Sequence, residues 1–115
     1  MTTINLTKHP AAQDMVQIVM DTKGLSASEA VAYSVNRNIY DRIVATGWAS
    51  IALDLWGHGD PDREWKKLAD PRIKIEFDEE SQTLINEIMK KEDVKLETAV
   101  SFFLIFTMDS LGYHI

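Results

Sequence analysis

Charged and large apolar residues alternate strictly in "RIKIEF", residues 72–77. In an extended chain Arg72, Lys74 and Glu76 fall on one face, and Ile73, Ile75 and Phe77 on the other. That charged face is the chain's most promising place for chemistry. Other candidates carry less. His9, His58 and His114 are scattered and lack metal-ligand spacing. Asp60, Asp62 and Glu64 are spaced like the start of a calcium loop, but its glycine and terminal glutamate are missing. Gly57-His58-Gly59 lacks the strand and helix context of a phosphate loop. There is no cysteine, hence no thiolate nucleophile, disulfide or thiolate metal site. The expectation is no catalytic residue, no metal site, no cofactor and no enzyme.

A strand cannot stand alone, because its backbone donors and acceptors need partners. The partner for residues 72–77 is at the other end of the chain, in "TINLT", residues 3–7. Pairing would gather Ile4, Leu6, Ile73, Ile75 and Phe77 on one face, set against helices.

The bulk numbers narrow the classes. The chain has 115 residues, with 45% apolar and 26% charged, which suits one soluble domain. The polar start "MTTINLTKHP" does not resemble a signal peptide, and "SFFLIFTM" is too short to span a bilayer. With no cysteine, this leads to the expectation of a cytoplasmic protein with no membrane partner. The net charge is −6. Residues 1–47 hold four basic and four acidic residues, residues 48–70 three and five, residues 71–115 five and nine. Any contact with nucleic acid must therefore be local and geometric.

Sliding the chain along itself by 69 residues brings apolar positions into register without a gap. Ile4 meets Ile73, and Leu6 meets Ile75. Met15, Val16, Val19 and Met20 meet Leu84, Ile85, Ile88 and Met89. Leu25 meets Val94, Ala30 and Val31 meet Ala99 and Val100, and Tyr33 meets Phe102. The spacing predicts a strand and two helices in each copy. The first helix starts near His9-Pro10 and stops at Lys23-Gly24. "SASE", Ser26 to Glu29, is a capping box opening a helix that runs to about Ile43. In the second copy Asp78 caps the first helix. The next helix runs from about Lys95 to Leu111, before Gly112. The reading is one domain, 1–115, built from repeats 2–46 and 71–115 and joined by a connector, 47–70.

The connector holds Trp48, Trp56 and Trp65. These read as cover for the core, with a binding surface as the competing reading. "WASIALDLW" reads as a short helix and "GHGDPD" as a turn. Phe102 to Phe106 is apolar on all sides, which requires burial all round.

Strand, helix, a turn with "GLSASEA" and a second helix resemble the ribbon-helix-helix (Arc-type) DNA-binding family, in two divergent tandem copies covering 2–44 and 71–114. Gly24, Ser26 and Ser28 match the family turn. The second copy departs from it, with Asp93, Val94, Lys95, Leu96 and Glu97. The resemblance implies a mainly α fold with a short antiparallel two-stranded ribbon, a tandem pseudo-dimer within one chain. Pairing of each repeat with its equivalent in a second chain is the alternative. It implies a repressor-like transcription regulator, a partner of double-stranded operator DNA, and possible homo-oligomers. The ribbon would enter the major groove, with base contacts from Thr3, Asn5, Thr7, Arg72, Lys74 and Glu76. Phosphate contacts would come from Ser26, Ala27, Ser28 and Lys95, at helix starts. A plain solvated strand face and plain helix caps are the competing readings for these residues. Glu97, Asp78, Glu79 and Glu80 would repel phosphate. That leads to the alternative function, a protein-binding module on the same fold. It would be an antitoxin-like or phage inhibitor protein whose acidic second repeat meets a basic partner.

Overall fold

The computed structural model describes residues 1–113; His114 and Ile115, the end of the second expected repeat, lie outside the described residues. The chain runs β1 (Thr2–Asn5), α1 (Pro10–Lys23), α2 (Ala27–Ser34), α3 (Arg37–Thr46) and α4 (Ala49–Asp54). After the connector come β2 (Arg72–Ile75), α5 (Glu79–Glu92) and α6 (Leu96–Ser110). It is mainly helical, with one two-stranded antiparallel sheet among the described residues.

The ends of the helices follow their sequence signals. Pro10 stands in the first turn of α1, and Gly24 closes it in the left-handed region at φ 67°. Ser26 and Glu29 form the reciprocal capping box at the start of α2. The Asp78 carboxylate accepts from the Ser81 N–H at 2.7 Å and starts α5. Asp93 takes the left-handed position that Gly24 holds in the first copy, at φ 53°. A short polar side chain tolerates that conformation better than most.

One helix expected to reach Ile43 is two helices. The chain leaves the helical region at Val35 and Asn36. The Asn36 side chain accepts from the Ile39 N–H at 3.0 Å and caps a new helix, α3. The position 69 residues on is Ile105, which offers no such bond, and α6 runs through unbroken.

The two strands pair antiparallel, Thr2 opposite Ile75, Thr3 opposite Lys74, Ile4 opposite Ile73 and Asn5 opposite Arg72. A further bond from the Leu6 N–H to the Pro71 carbonyl, 2.8 Å, extends the register past β1. Ile4, Leu6, Ile73 and Ile75 are buried beneath the sheet, and Phe77 is half-buried. The strands are shorter than expected. Thr7 and Glu76 lie beyond their ends. The Asn5 side chain takes the Thr7 N–H and hydroxyl, at 3.1 and 2.6 Å, turning the chain out of the ladder.

Helix α6 is the axis of the core. Its residues Ala99 to Met108 are buried without interruption. It packs against α1, α2, α3, α4, α5 and β1. Each large apolar side chain so buried contributes about 1.5–3 kcal/mol.

The connector is short α4 followed by irregular chain that lies back on α1. Trp56 is buried, whereas Trp48 is 65% exposed and Trp65 38%. Cover of the core is thus the role of Trp56, and Trp48 stands largely in solvent. No described helix is long and apolar enough to cross a membrane.

Candidate functional site

The pleat puts alternate side chains on opposite faces. Since Ile4, Ile73 and Ile75 point into the core, Thr3, Asn5, Arg72 and Lys74 must point out, and all four are exposed. The register sets Thr3 beside Lys74 and Asn5 beside Arg72. Directly opposite side chains on such a ladder sit about 5 Å apart. The four form a two-by-two block of donors on the solvent face. Thr7 and Glu76 are exposed too, but stand outside the block.

Two of these side chains are held in place. Asp70 accepts the Arg72 backbone N–H at 3.0 Å and lies 3.5 Å from its Nε. The Arg72 amide, with the guanidinium and Lys74 helping, lowers the Asp70 pKa below its usual value. The Asn5 oxygen is engaged by Thr7, which leaves its amide nitrogen outward-facing for an acceptor. Lys74 is in no ion pair among the described residues.

Two helix starts flank the ribbon. Helix α2 packs against β2, and α6 against β1. Ser26, Ala27, Ser28, Arg72 and Lys74 line an open cleft of about 360 Å³ between α2 and β2. The Ser26 and Ser28 hydroxyls are 3.3 Å apart there. At the other end Lys95 occupies the cap position of α6 and makes no side-chain capping bond. Glu97, in the first turn of α6, accepts the Asn5 N–H at 3.2 Å. Asn5, Thr7, Lys8, His9 and Glu97 line a cleft of about 370 Å³ at that end. Both helix starts carry a carboxylate: Glu29 closes onto the Ser26 N–H at the start of α2, whereas Glu97 reaches from α6 across to β1. Asp78, Glu79 and Glu80 are exposed past the end of β2.

Sequence spacing did not reveal the polar cluster under the connector. Asp14 is fully buried in α1. It accepts from Trp56 Nε1 at 2.8 Å, the Lys66 N–H at 2.8 Å, and Arg63 Nη1 and Nη2 at 3.2 and 2.7 Å. The only trace in sequence is an acid beside Met15 and Val16, on a helix with a wide apolar face. Its partners lie 42 to 52 residues away.

No protein-family model, curated protein or solved structure matches the chain.

Proposed function

We propose that the chain is a small DNA-binding regulator, repressor-like, whose two-stranded ribbon enters the major groove. The observation that carries this reading is the block of Thr3, Asn5, Arg72 and Lys74 on the free face of a ribbon whose other face is core. A two-stranded ribbon fits the major groove, and these residue types pair with base edges there. Arg72 and Lys74 donate to guanine O6 and N7, and the Asn5 amide nitrogen, its oxygen being held by Thr7, donates to a base acceptor such as adenine N7. Thr3 adds a hydroxyl and a methyl group.

The reading includes a tandem ribbon-helix-helix arrangement, repeats 2–46 and 71–115 forming one composite unit. Two observations support it. The ladder is centred on Ile4 and Ile73, the two residues related by the 69-residue repeat. The second helix of each repeat packs on the other repeat's strand: α6 on β1, α2 on β2. On this reading the protein is not an enzyme, and it acts by occluding an operator.

A specific observation favours a second reading, a protein-binding module. Glu97, Glu76, Asp78, Glu79 and Glu80 put acid around the ribbon's ends, which suits a basic protein partner better than phosphate. Binding to random duplex over a salt series separates the two. Under the DNA reading, affinity falls steeply with salt, with a slope of about −0.9 per phosphate contacted. Lys74→Ala and Arg72→Ala then flatten that slope. Absence of binding at low salt would exclude DNA in favour of the protein partner.

A further inference from the structure

We propose that the outer face of α4 docks a second copy of this chain, the two copies meeting about a two-fold axis. The proposal goes beyond the DNA reading and does not rest on it. Trp48, Ile51 and Leu55 follow one another at spacings of three and four residues, which sets them on one side of the α4 helix. They are 65%, 56% and 42% exposed. The adjoining side, Ala49, Ala52 and Trp56, is buried, and α4 packs on α6. One apolar face of α4 is therefore covered by the core and the other by nothing within the described residues. Apolar residues scattered singly over a surface are ordinary, whereas a contiguous stripe marks a place of contact.

The chemistry of the stripe selects its occupant. Residues 43–53 carry no charge, in a chain that is 26% charged. The other uncharged stretch of that length, 98–108, lies in α6 and is buried from Ala99 to Met108. Phosphate, anionic lipid and charged peptides all need a countercharge that the stripe lacks. Two copies, each at −6, repel one another over most of their surface, and least where neither bears a charge. An isologous contact also buries the same stripe twice. About a two-fold axis across α4 the two helices run antiparallel. Ile51 then faces its own counterpart, and Trp48 of each copy meets Leu55 of the other. A tryptophan buries about 150–250 Å², and the whole stripe stays below the roughly 800 Å² per partner of a stable interface. The dimer is therefore weak and reversible, with a Kd no tighter than micromolar. None of the three side chains lines a cleft beside the ribbon, so the two surfaces are separate.

The test is sedimentation of the wild type and variants over a concentration series from about 1 µM to about 1 mM, which brackets weak affinities. The wild type is expected to pass from monomer to dimer as concentration rises. Ile51→Glu and Ile51→Lys each set like charges against one another at the axis, and each is expected to weaken the dimer at least about tenfold. Mixed in equal amounts, the two variants set opposite charges there and are expected to recover a dimer holding one copy of each. Trp48→Ser, which adds no charge, is expected to weaken the dimer as well. All three changes fall on exposed side chains, and thermal unfolding confirms that each variant folds. A dimer that every variant keeps at full strength overturns the proposal, since the contact then lies elsewhere. Weakening by both charges with no recovery in the mixture overturns the two-fold arrangement. A wild type that stays monomeric throughout overturns the proposal outright. Should its tryptophan fluorescence then shift on uncharged phosphatidylcholine vesicles, the stripe belongs to a membrane surface instead.

Discussion

The Asp14 carboxylate and the Arg63 guanidinium form a bidentate pair, with Nη2–Oδ2 at 2.7 Å and Nη1–Oδ1 at 3.2 Å. Asp14 is fully buried, while the Arg63 side chain is 28% exposed. The pair, with Trp56 and the Lys66 amide, fastens the connector to α1. Facing Asp14 raises the Arg63 pKa further above its usual value, so the cation persists at any working pH. Removing one partner of a buried pair leaves the other's charge and donors uncompensated. Asp14→Ala is expected to destabilise the fold by about 3–5 kcal/mol in urea unfolding. A loss below about 1 kcal/mol, the level of an ordinary surface change, would show that the pair does not secure the connector.

Helix α6 gives a second stability prediction. Phe103 is fully buried at its centre. Phe103→Ala removes a ring from a close-packed interior and leaves a cavity, at a cost of about 3–5 kcal/mol. The loss is read as a lower midpoint in denaturant.

The break between α2 and α3 depends on one amide. Asn36 caps α3 through the Ile39 N–H and also donates to the Tyr33 carbonyl. Asn36→Ala is expected to cost about 1 kcal/mol through loss of the cap. Backbone NMR shifts of residues 35–38 check whether the break persists without it.

Acid is expected to weaken the fold. The Lys66 ammonium lowers Asp21, the Ser81 amide lowers Asp78, the Arg72 amide lowers Asp70, and the Ser26 amide lowers Glu29. All four are depressed in the folded state, so the unfolded chain takes up protons first. Their stabilisation is complete above the ordinary values of 3.8 for Asp and 4.5 for Glu, and is lost as pH falls through the lower folded values. Thermal midpoints should be level from pH 7 to about pH 5 and fall below about pH 4.5. A midpoint that rises on acidification contradicts this assignment.

Much of the architecture was written locally. The alternation of "RIKIEF", the proline at the start of α1, Gly24, the Ser26–Glu29 box and Asp78 each determine one end or one face by short-range chemistry. The strand partner was legible because residues 72–77 need one and "TINLT" offers a matching alternation. What escaped was long-range or competitive. The break at Asn36 pits one side-chain bond against continuation of an apolar stripe, and periodicity does not weigh the two. The Asp14 cluster brings together residues from α1 and the connector, whose pairing no local signal encodes. The outward face of the ribbon could be read from the pleat. The Glu97 contact to Asn5 spans 92 residues and could not.

The ribbon side chains are not equal as probes. Lys74 makes no ion pair among the described residues, so Lys74→Ala should change stability by less than about 0.5 kcal/mol. Asn5 holds Thr7 by two bonds, and Asn5→Ala should cost about 1 kcal/mol as well as any binding. Comparing their thermal midpoints checks the difference, and Lys74→Ala is the cleaner substitution for function.

The most direct measurement is an NMR titration of the labelled protein with a short duplex at low salt. Our account predicts that the amide and side-chain signals of Thr3, Asn5, Arg72 and Lys74 move first and furthest, followed by those of Ser26 to Ser28. Shifts confined to the acidic stretch 76–80, or to the connector, with the ribbon signals unmoved, would contradict it.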